Sequence, residues 1–168
     1  MTVPAASIRA ATEADVPDIV RLVRALAEYE KLLHEVVSTE DDFRQRLFGP
    51  CPVAHAVLAE TGGRAVGLAL WFYTFSTFTG RCDLFLEDLF VMPEHRGAGI
   101  GLALFRHLAR IATQERCRRI EWRVLNWNQP AIDFYRRIGA TPMTDWTVKR
   151  LEGAALATLA GRTGANDG

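Results

Sequence analysis

The sequence predicts an α/β fold of the mixed, α+β type, with a mostly antiparallel sheet and helices on both faces. Apolar runs at residues 54–60 and 65–75 flank a Gly62-Gly63 pair, which is typical of an antiparallel hairpin. A third run at residues 82–92 extends the antiparallel part. A helical segment and another apolar run follow, and a strand–helix–strand crossover of this kind joins parallel strands.

The first third of the chain predicts one strand and two helices. Residues 7–11 indicate a short strand, and Thr12 with Asp15 resembles a helix N-cap with an acidic first turn. The polar run at 38–42 predicts a second, short helix that ends near Gly49-Pro50. The first helix, predicted from about residue 13 to 30, buries a stripe formed by Val16, Ile19, Val20, Val23, Leu26 and Ala27.

The remaining elements are predicted from apolar patterns and from the residues that break them. Residues 100–115 are apolar on most sides, which indicates a well-buried helix. Asn128-Gln129-Pro130 opens a later helix, and Gly139 ends it. The other predicted elements are a strand at 120–125, a last strand at 143–151 and a short helix near 154–160.

Length and composition favour one soluble domain over residues 1–160, followed by a small, polar, flexible tail at 161–168. Twenty basic and twenty acidic residues balance, so the chain lacks the net positive charge that is typical of nucleic-acid-binding proteins. No basic stretch or long apolar run suggests a membrane, and the first residues lack a signal-peptide pattern. We therefore expect a cytoplasmic protein with no nucleic-acid or membrane partner.

The cysteines and histidines give no metal-binding spacing. Cys51, Cys82 and Cys117 are far apart and contain no CxxC pair, which predicts reduced, mostly buried thiols rather than disulfides or zinc ligands. The four histidines show no HExxH or similar pattern. We expect no metal.

The most informative segment is the glycine-rich turn at residues 96–102, between an apolar strand and a predicted helix. Glycines there allow a sharp bend and expose N–H groups at a helix start, which suits a phosphate or pyrophosphate. The alternative is a tight turn that only packs the helix. The phosphate loop of nucleoside triphosphatases is excluded because Leu102-Ala103 stands where it needs lysine and a hydroxyl residue. The dinucleotide fingerprint fits poorly because its last glycine is missing.

A third motif, Arg-x-x-Gly-x-Gly, is formed by Arg96, Gly99 and Gly101 and resembles the signature of the GNAT superfamily of acetyltransferases. The segments that look most like its diamine (spermidine/spermine) and thialysine N-acetyltransferase branch are residues 8–12, 26–30, 86–91 and 127–140. The resemblance implies a GNAT-like fold with a splayed strand pair, acetyl-CoA as cosubstrate and a homodimer. It also implies transfer of acetyl to a primary amine of a small molecule, by direct attack in a ternary complex.

The resemblance also implies where acetyl-CoA lies. Backbone groups of Leu89, Phe90 and Val91 would hold the pantetheine arm and steady the developing oxyanion. Asn128 and Ala131 would contact the cosubstrate from the other side, where the sheet splays open, although a plain helix N-cap also explains Asn128. The pyrophosphate would lie on the turn, whose predicted cofactor-binding residues are Arg96, Gly97, Ala98, Gly99, Ile100, Gly101 and Leu102.

Tyr135 and Glu87 are the implied catalytic residues. Tyr135 matches the family's tyrosine near the thioester sulfur and would protonate the leaving thiolate. The alternative role for Tyr135 is that of an aromatic residue in the buried stripe of the helix. We assign that packing role to the neighbouring Phe134. Glu87 would accept, through water, the proton that an amine with a pKa of about 10.4 must lose before it attacks.

Four residues would line the acceptor site: Tyr29, Glu30, Glu87 and Asp88. Tyr29 and Glu30 are explained equally well as residues at the solvated end of the first helix. Glu87 and Asp88 interrupt an apolar strand, and because adjacent strand residues face opposite sides we expect them in different environments. A wet side or a basic partner for each acid is the alternative to a functional role.

The acceptor is less defined. Polyamine enzymes carry an acid where this chain has Thr77, and the segment after Ala140 is shorter, with Asp145 only a doubtful match. A diamine or a lysine-like amino acid is therefore as plausible as spermidine. A protein or peptide N-acetyltransferase and a non-catalytic coenzyme A-binding module stay open, and retention of Tyr135 and Glu87 counts against the second.

Overall fold

The computed structural model describes residues 6–161, and a boundary after Arg123 divides them into two compact units. The first unit contains a five-stranded sheet and three α-helices, and the second contains two short α-helices. The predicted tail beyond Gly161 lies outside the described residues. Within residues 6–161, every helix is too short or too polar to cross a bilayer.

The N-terminal elements follow the predicted pattern. The predicted first helix begins as a 3₁₀ turn at Glu13–Asp15, where the Thr12 N–H donates to Asp15 Oδ2 at 2.7 Å. Its buried residues are Val16, Ile19, Leu22 and Ala27, so the apolar stripe faces the core. The elements are β1 at Ser7–Ala10, α1 at Val16–Tyr29 and α2 at Glu40–Phe48.

The sheet confirms the predicted mixed topology. Its order is β1-β2-β3-β4-β5, and every neighbouring pair is antiparallel except β4 and β5. The Gly62-Gly63 turn joins β2 to β3, and α3 at Ile100–Gln114 is the crossover between the parallel strands. The remaining strands are β2 at His55–Thr61, β3 at Arg64–Ser76, β4 at Arg81–Val91 and β5 at Ile120–Trp122.

Helices cover both faces of the sheet, as predicted. On one face, residues of α1 and α2 pack against Leu58, Leu68 and Phe90. On the other face α3 approaches so closely that a Cβ added to Gly67 would lie 3.4 Å from Leu104 Cδ1. The buried residues of α3 lie on one side of it, so this helix is amphipathic rather than apolar on most sides.

A buried carboxylate joins β4 to the segment that leads into β5. The side chain of Asp83 is 1% exposed, and its Oδ1 accepts a hydrogen bond from the Arg118 N–H at 3.2 Å. Arg119 Nε lies 2.9 Å from Asp83 Oδ2 and 3.2 Å from Glu121 Oε2. The ion pair therefore stabilises the parallel half of the sheet, where only three residue pairs form the ladder.

The second unit contains α4 at Gln129–Arg137 and α5 at Gly153–Leu159. The predicted last strand at 143–151 is wrong, because no described residue after Trp122 belongs to a strand. Trp146 and Val148 keep the alternating pattern but are 77% and 65% exposed. A strand exists only where a neighbouring chain segment completes its hydrogen bonds, and the pattern alone cannot supply that neighbour.

Two smaller expectations also differ from the structure. The strand predicted at 120–125 ends at Trp122. The cysteines are free thiols, but Cys51 and Cys82 are exposed and Cys117 is half-buried, so the prediction of mostly buried thiols is wrong. Cys51 lies in the segment between α2 and β2 and Cys82 lies near the start of β4, where the packed part of the sheet ends.

Candidate active site

The predicted glycine bend lies between β4 and α3. A short 3₁₀ turn at Pro93–His95 follows β4, and Gly97 and Gly99 then both adopt a φ of 80°. A Cβ at either glycine would meet nothing within 4 Å, so the backbone conformation and not crowding requires glycine here. Gly99 is the N-cap of α3, which means that the bend ends directly in the first turn of a 15-residue helix.

The start of α3 presents main-chain donors. The Ala103 N–H bonds the Gly99 carbonyl at 3.0 Å, so the N–H groups of the three preceding residues belong to the unpaired first turn that every helix has. Ile100 anchors this turn because its side chain is buried. Residues Ile100, Gly101 and Leu102 therefore form a main-chain surface suited to an anion.

The last part of β4 has an open edge. The β5 ladder stops where Trp122 pairs with Leu86, so among the described residues no strand pairs with this edge of β4 beyond Leu86. Met92 donates to the Val66 carbonyl at 2.9 Å, which fixes the alternation of the peptide groups. The N–H and C=O groups of Phe90 point to β3. The N–H and C=O groups of Leu89 and Val91 point to the open edge.

A one-residue bulge interrupts β4 at Glu87. β3 pairs Leu70 with Asp88 but its next residue, Trp71, with Leu86, so Glu87 has no opposite residue. Such a bulge shifts the phase of the alternation between the two sides of the strand. The register is what reveals the bulge, and it has no sequence signal of its own.

The bulge places both acids on one face of the sheet. Phe85 and Phe90 both pair with even-numbered residues of β3, which share the face covered by α1 and α2. Alternation from Phe85 puts Glu87 on this face, and alternation from Phe90 puts Asp88 there as well. The expectation that the two acids face opposite sides is therefore wrong, while their environments do differ: Glu87 is exposed and Asp88 is partly buried.

The acids repel one another. Burial raises the pKa of Asp88 to about 7, and the charges of Glu87 and Glu30 add to the effect. Burial also raises the pKa of Glu30, the residue that directly follows α1. The structure thus brings Glu30, Glu87 and Asp88 into one acidic cluster, which we call the carboxylate cluster.

Arg96 connects the glycine bend to the end of α1. Its Nε donates to the Val91 carbonyl at 2.9 Å, and its guanidinium carbon lies 4.6 Å from the centre of the Tyr29 ring and 5.5 Å from that of Phe90. The motif assigned Arg96 to the cosubstrate, and sequence reasoning missed its contact with Tyr29. That contact joins residues 67 positions apart, and no local pattern signals it.

The second unit holds the other predicted residues on one helix. The Oδ1 of Asn128, which is buried, accepts from the Ala131 N–H at 3.3 Å and caps α4. Positions 128, 131 and 135 follow the spacing of one helix face, so Asn128, Ala131 and Tyr135 lie along one side of α4. The Tyr135 ring is half-buried and packs edge-to-face against Phe134 at 5.4 Å. The predicted N-cap at Asn128 is thus present. The apolar stripe of α4, which was predicted to be buried, is only half-buried.

Two positions that the resemblance linked to the acceptor are exposed, namely Thr77 in the β3–β4 hairpin and Asp145 in the segment before α5. Among residues 6–161, histidine, cysteine and carboxylate side chains form no group that could hold a metal ion.

Comparisons with known proteins extend these observations. Residues 20–140 match the family described as "Acetyltransferase (GNAT) family". The chain is 40% identical over 166 residues to a thialysine N-epsilon-acetyltransferase of Mus musculus, covering 92% of this chain and 97% of that protein. It is 31% identical over 163 residues to spermidine/spermine N(1)-acetyltransferase-like protein 1 of Homo sapiens, covering 91% of this chain and 23% of that protein.

A solved structure also resembles the chain. An integron cassette protein from the mobile metagenome of V. cholerae superposes with a TM-score of 0.79 at 28% identity, covering 93% of this chain and 98% of that one. The family match includes both the glycine bend and α4, and the mouse relative matches over nearly its full length. The chain therefore belongs to the GNAT family of acetyltransferases and is an acetyl-transferring enzyme.

Proposed function

We propose that the chain transfers acetyl from acetyl-CoA to a primary amine of a small molecule, by direct attack of the amine in a ternary complex. One observation carries the proposal. β4 bears the carboxylate pair Glu87 and Asp88 and, within the next three residues, the open-edge peptide groups of Leu89 and Val91. A surface suited to a thioester and a surface suited to an ammonium group thus adjoin on a single strand.

The donor side fits coenzyme A. The pantetheine arm carries amides that pair with a strand edge, and the bend from Arg96 to Leu102 offers N–H donors to the pyrophosphate. Bound there, acetyl-CoA supplies the thioester that the amine attacks. Asn128 and Ala131 are our further proposed contacts for acetyl-CoA. Because the family match spans residues 20–140, we propose that residues 1–160 form one acetyltransferase domain. The homodimer and the cytoplasmic location stay predictions.

The acceptor side fits a cation. Burial raises the pKa of Asp88, and the charges of Glu30 and Glu87 raise it further. None of the three carboxylates forms an ion pair with a described residue, and a protonated amine would supply that partner. Tyr29 adds an aromatic wall beside Glu30. The similarity to a thialysine N-epsilon-acetyltransferase favours a lysine-like amino acid, and the exposed Thr77 leaves fewer acids for a polyamine.

Proton transfer would use Glu87 and Tyr135. Glu87 is exposed, so water can reach it and relay the proton that the ammonium loses. Tyr135 would donate its phenolic proton to the departing thiolate. The N–H groups of Leu89 and Val91 would stabilise negative charge on the carbonyl oxygen of the acetyl group.

The raised pKa of Asp88 predicts a pH-dependent affinity for the amine. The amine stays protonated near neutral pH, while Asp88 gains its charge as the pH rises through about 7. We therefore expect the KM for the amine to fall about fivefold between pH 6 and pH 8, the size of effect that one partly buried charge produces. Steady-state kinetics across this range measures it, and Asp88→Asn should flatten the profile.

A second readout of Asp88 is folding stability. The folded protein holds this proton more tightly than the unfolded chain, so stability declines as the pH rises from about 4 to about 7 and then levels off. Melting temperatures at pH 5 and pH 8 report it. Asp41→Asn is the matched control and should change neither profile, because Asp41 is an acid of α2 whose side chain is 82% exposed. An Asp88→Asn enzyme with the wild-type pH slope would contradict the assignment.

The proposed function is tested by thiol release from acetyl-CoA with a screen of diamines, polyamines, lysine analogues and aminoglycosides. Wild type should release thiol with at least one of them. Gly99→Val should reduce affinity for coenzyme A by at least tenfold, because a β-branched residue is disfavoured at a φ of 80° and would distort the bend. Calorimetry with coenzyme A measures this loss.

Gly62→Val is the matched control for Gly99→Val. Gly62 also has a positive φ, 59°, and open space around its missing Cβ, but it lies in the β2–β3 turn. The two variants should lose similar stability, and only the first should lose coenzyme A. Absence of thiol release with every amine, or equal coenzyme A affinity in both variants, would refute the proposal.

A further inference from the structure

Arg96 presents unused hydrogen-bond donors and stacks on two aromatic rings whose chain neighbours belong to the carboxylate cluster. Its Nε is taken by the Val91 carbonyl, and the faces of Tyr29 and Phe90 lie against its guanidinium. Within residues 6–161, its two terminal nitrogens have no hydrogen-bond or ion-pair partner. A guanidinium that stacks on rings still donates in its own plane, so these nitrogens remain available to a ligand.

The neighbours of Arg96 connect it to the acids. Tyr29, under the guanidinium, is followed directly by Glu30, whose charge reaches Asp88. Phe90, the second ring, lies two residues from Asp88 on the same face of β4. The site therefore has one fixed cation at one side and three carboxylates at the other. A ligand that matches it carries an anionic group and a separate ammonium group.

We propose that Arg96 binds the carboxylate of an amino-acid acceptor whose distal ammonium lies among Glu30, Glu87 and Asp88. This inference rests on the proposed function and names its substrate class: Arg96 selects a lysine-like amino acid over a diamine of the same length. The planar fork of arginine pairs with a carboxylate through two parallel hydrogen bonds. A diamine has no group for this fork and places a second positive charge beside it.

The competing role for Arg96 is to bind the pyrophosphate, as its place in the motif suggests. The two roles make different predictions because the pyrophosphate is common to every acceptor. Loss of a phosphate contact weakens reaction with all amines equally. Loss of a carboxylate contact weakens reaction only with acceptors that carry the carboxylate.

The test compares lysine with 1,5-diaminopentane, which is lysine without its carboxylate. The readout is the ratio of the two kcat/KM values, in which any shared effect on acetyl-CoA cancels. Wild type should favour lysine, and Arg96→Gln should lower the ratio about tenfold to a hundredfold, the range expected for a hydrogen bond to a charged group. Arg96→Lys keeps the charge without the fork and should give an intermediate ratio.

Arg110→Gln is the matched control, because Arg110 is an exposed arginine of α3 whose Nε also donates to a main-chain carbonyl. Its ratio should equal that of wild type. A ratio within twofold of wild type in Arg96→Gln, with or without weaker coenzyme A binding, would overturn the inference.

Failure of the proposed function gives a separate result. If wild type acetylates no amine, calorimetric titration of lysine and 1,5-diaminopentane into the coenzyme A complex still measures the preference. A binding ratio that Arg96→Gln lowers supports the role of Arg96 without catalysis. An unchanged binding ratio, or no binding of lysine, rejects it.

Discussion

Tyr135→Phe is expected to lower kcat for acetyl transfer about a hundredfold, the lower range of general acid catalysis, while the Kd for coenzyme A stays within about twofold of wild type. The substitution removes only the phenolic O–H and keeps the ring that packs against Phe134. The helix cap at Asn128, which places this face of α4, is untouched. Steady-state thiol release and calorimetry give the two values.

Tyr73→Phe is the matched control for this experiment. Tyr73 is also a half-buried tyrosine and lies in β3, outside the proposed site. It should keep at least half of the wild-type kcat. If Tyr135→Phe also kept more than a third of the wild-type rate, the thiolate would have to receive its proton from another group.

Arg119→Ala is expected to reduce the free energy of unfolding by about 3 kcal/mol, far more than an ordinary surface arginine. Arg119 is 43% exposed, but its ion-pair partner Asp83 is 1% exposed. Truncation leaves a buried carboxylate that, among residues 6–161, keeps the Arg118 N–H as its one hydrogen-bond donor. Urea denaturation followed by circular dichroism measures the loss.

The double variant Arg119→Ala, Asp83→Asn separates two effects of the truncation: the cost of an unpaired buried carboxylate and the loss of the Arg119 contacts. It should recover part of the stability, because the neutral amide costs less to bury than a carboxylate. Arg150→Ala is the control, since its 3.7 Å ion pair with Glu152 is about three-quarters exposed on both sides, and it should change stability by less than about 0.5 kcal/mol. Equal losses in Arg119→Ala and Arg150→Ala would contradict the burial argument.

The parts of the fold that local physics determines were predictable. The Gly62-Gly63 pair marks a hairpin because two consecutive residues there need positive φ. The stripe of α1 follows from helical spacing, and both ends of α4 follow from its Asn128 cap and from Gly139. In each case a few neighbouring residues contain the whole signal.

What escaped prediction depends on partners distant in sequence. The run at 143–151 has the alternation of a strand, yet alternation specifies only which side a residue faces. The bulge at Glu87 is defined by which residues of β3 lie opposite, so no inspection of β4 alone could reveal it. The exposed cysteines show the same limit, because burial depends on where the packed elements end.

The candidate site divides in the same way. The glycine bend and the Asn128, Ala131 and Tyr135 face were predictable because each lies within a single turn or helix. The proposed acceptor residues come from the end of α1 and the middle of β4, which are distant in sequence. The resemblance suggested these residues, but it did not give their arrangement in space. The stacking of Arg96 on Tyr29 emerged only from the three-dimensional structure.

The extra residue in β4 has a consequence for how this strand can change. In a regular strand, side chains on the same face repeat about every 6.6 Å along the backbone, whereas consecutive residues are about 3.8 Å apart. The bulge allows two successive acids to share a face, so it concentrates more negative charge per length than any choice of residues could in an unbroken strand. An insertion or deletion here alters that density abruptly, while substitutions can only tune it.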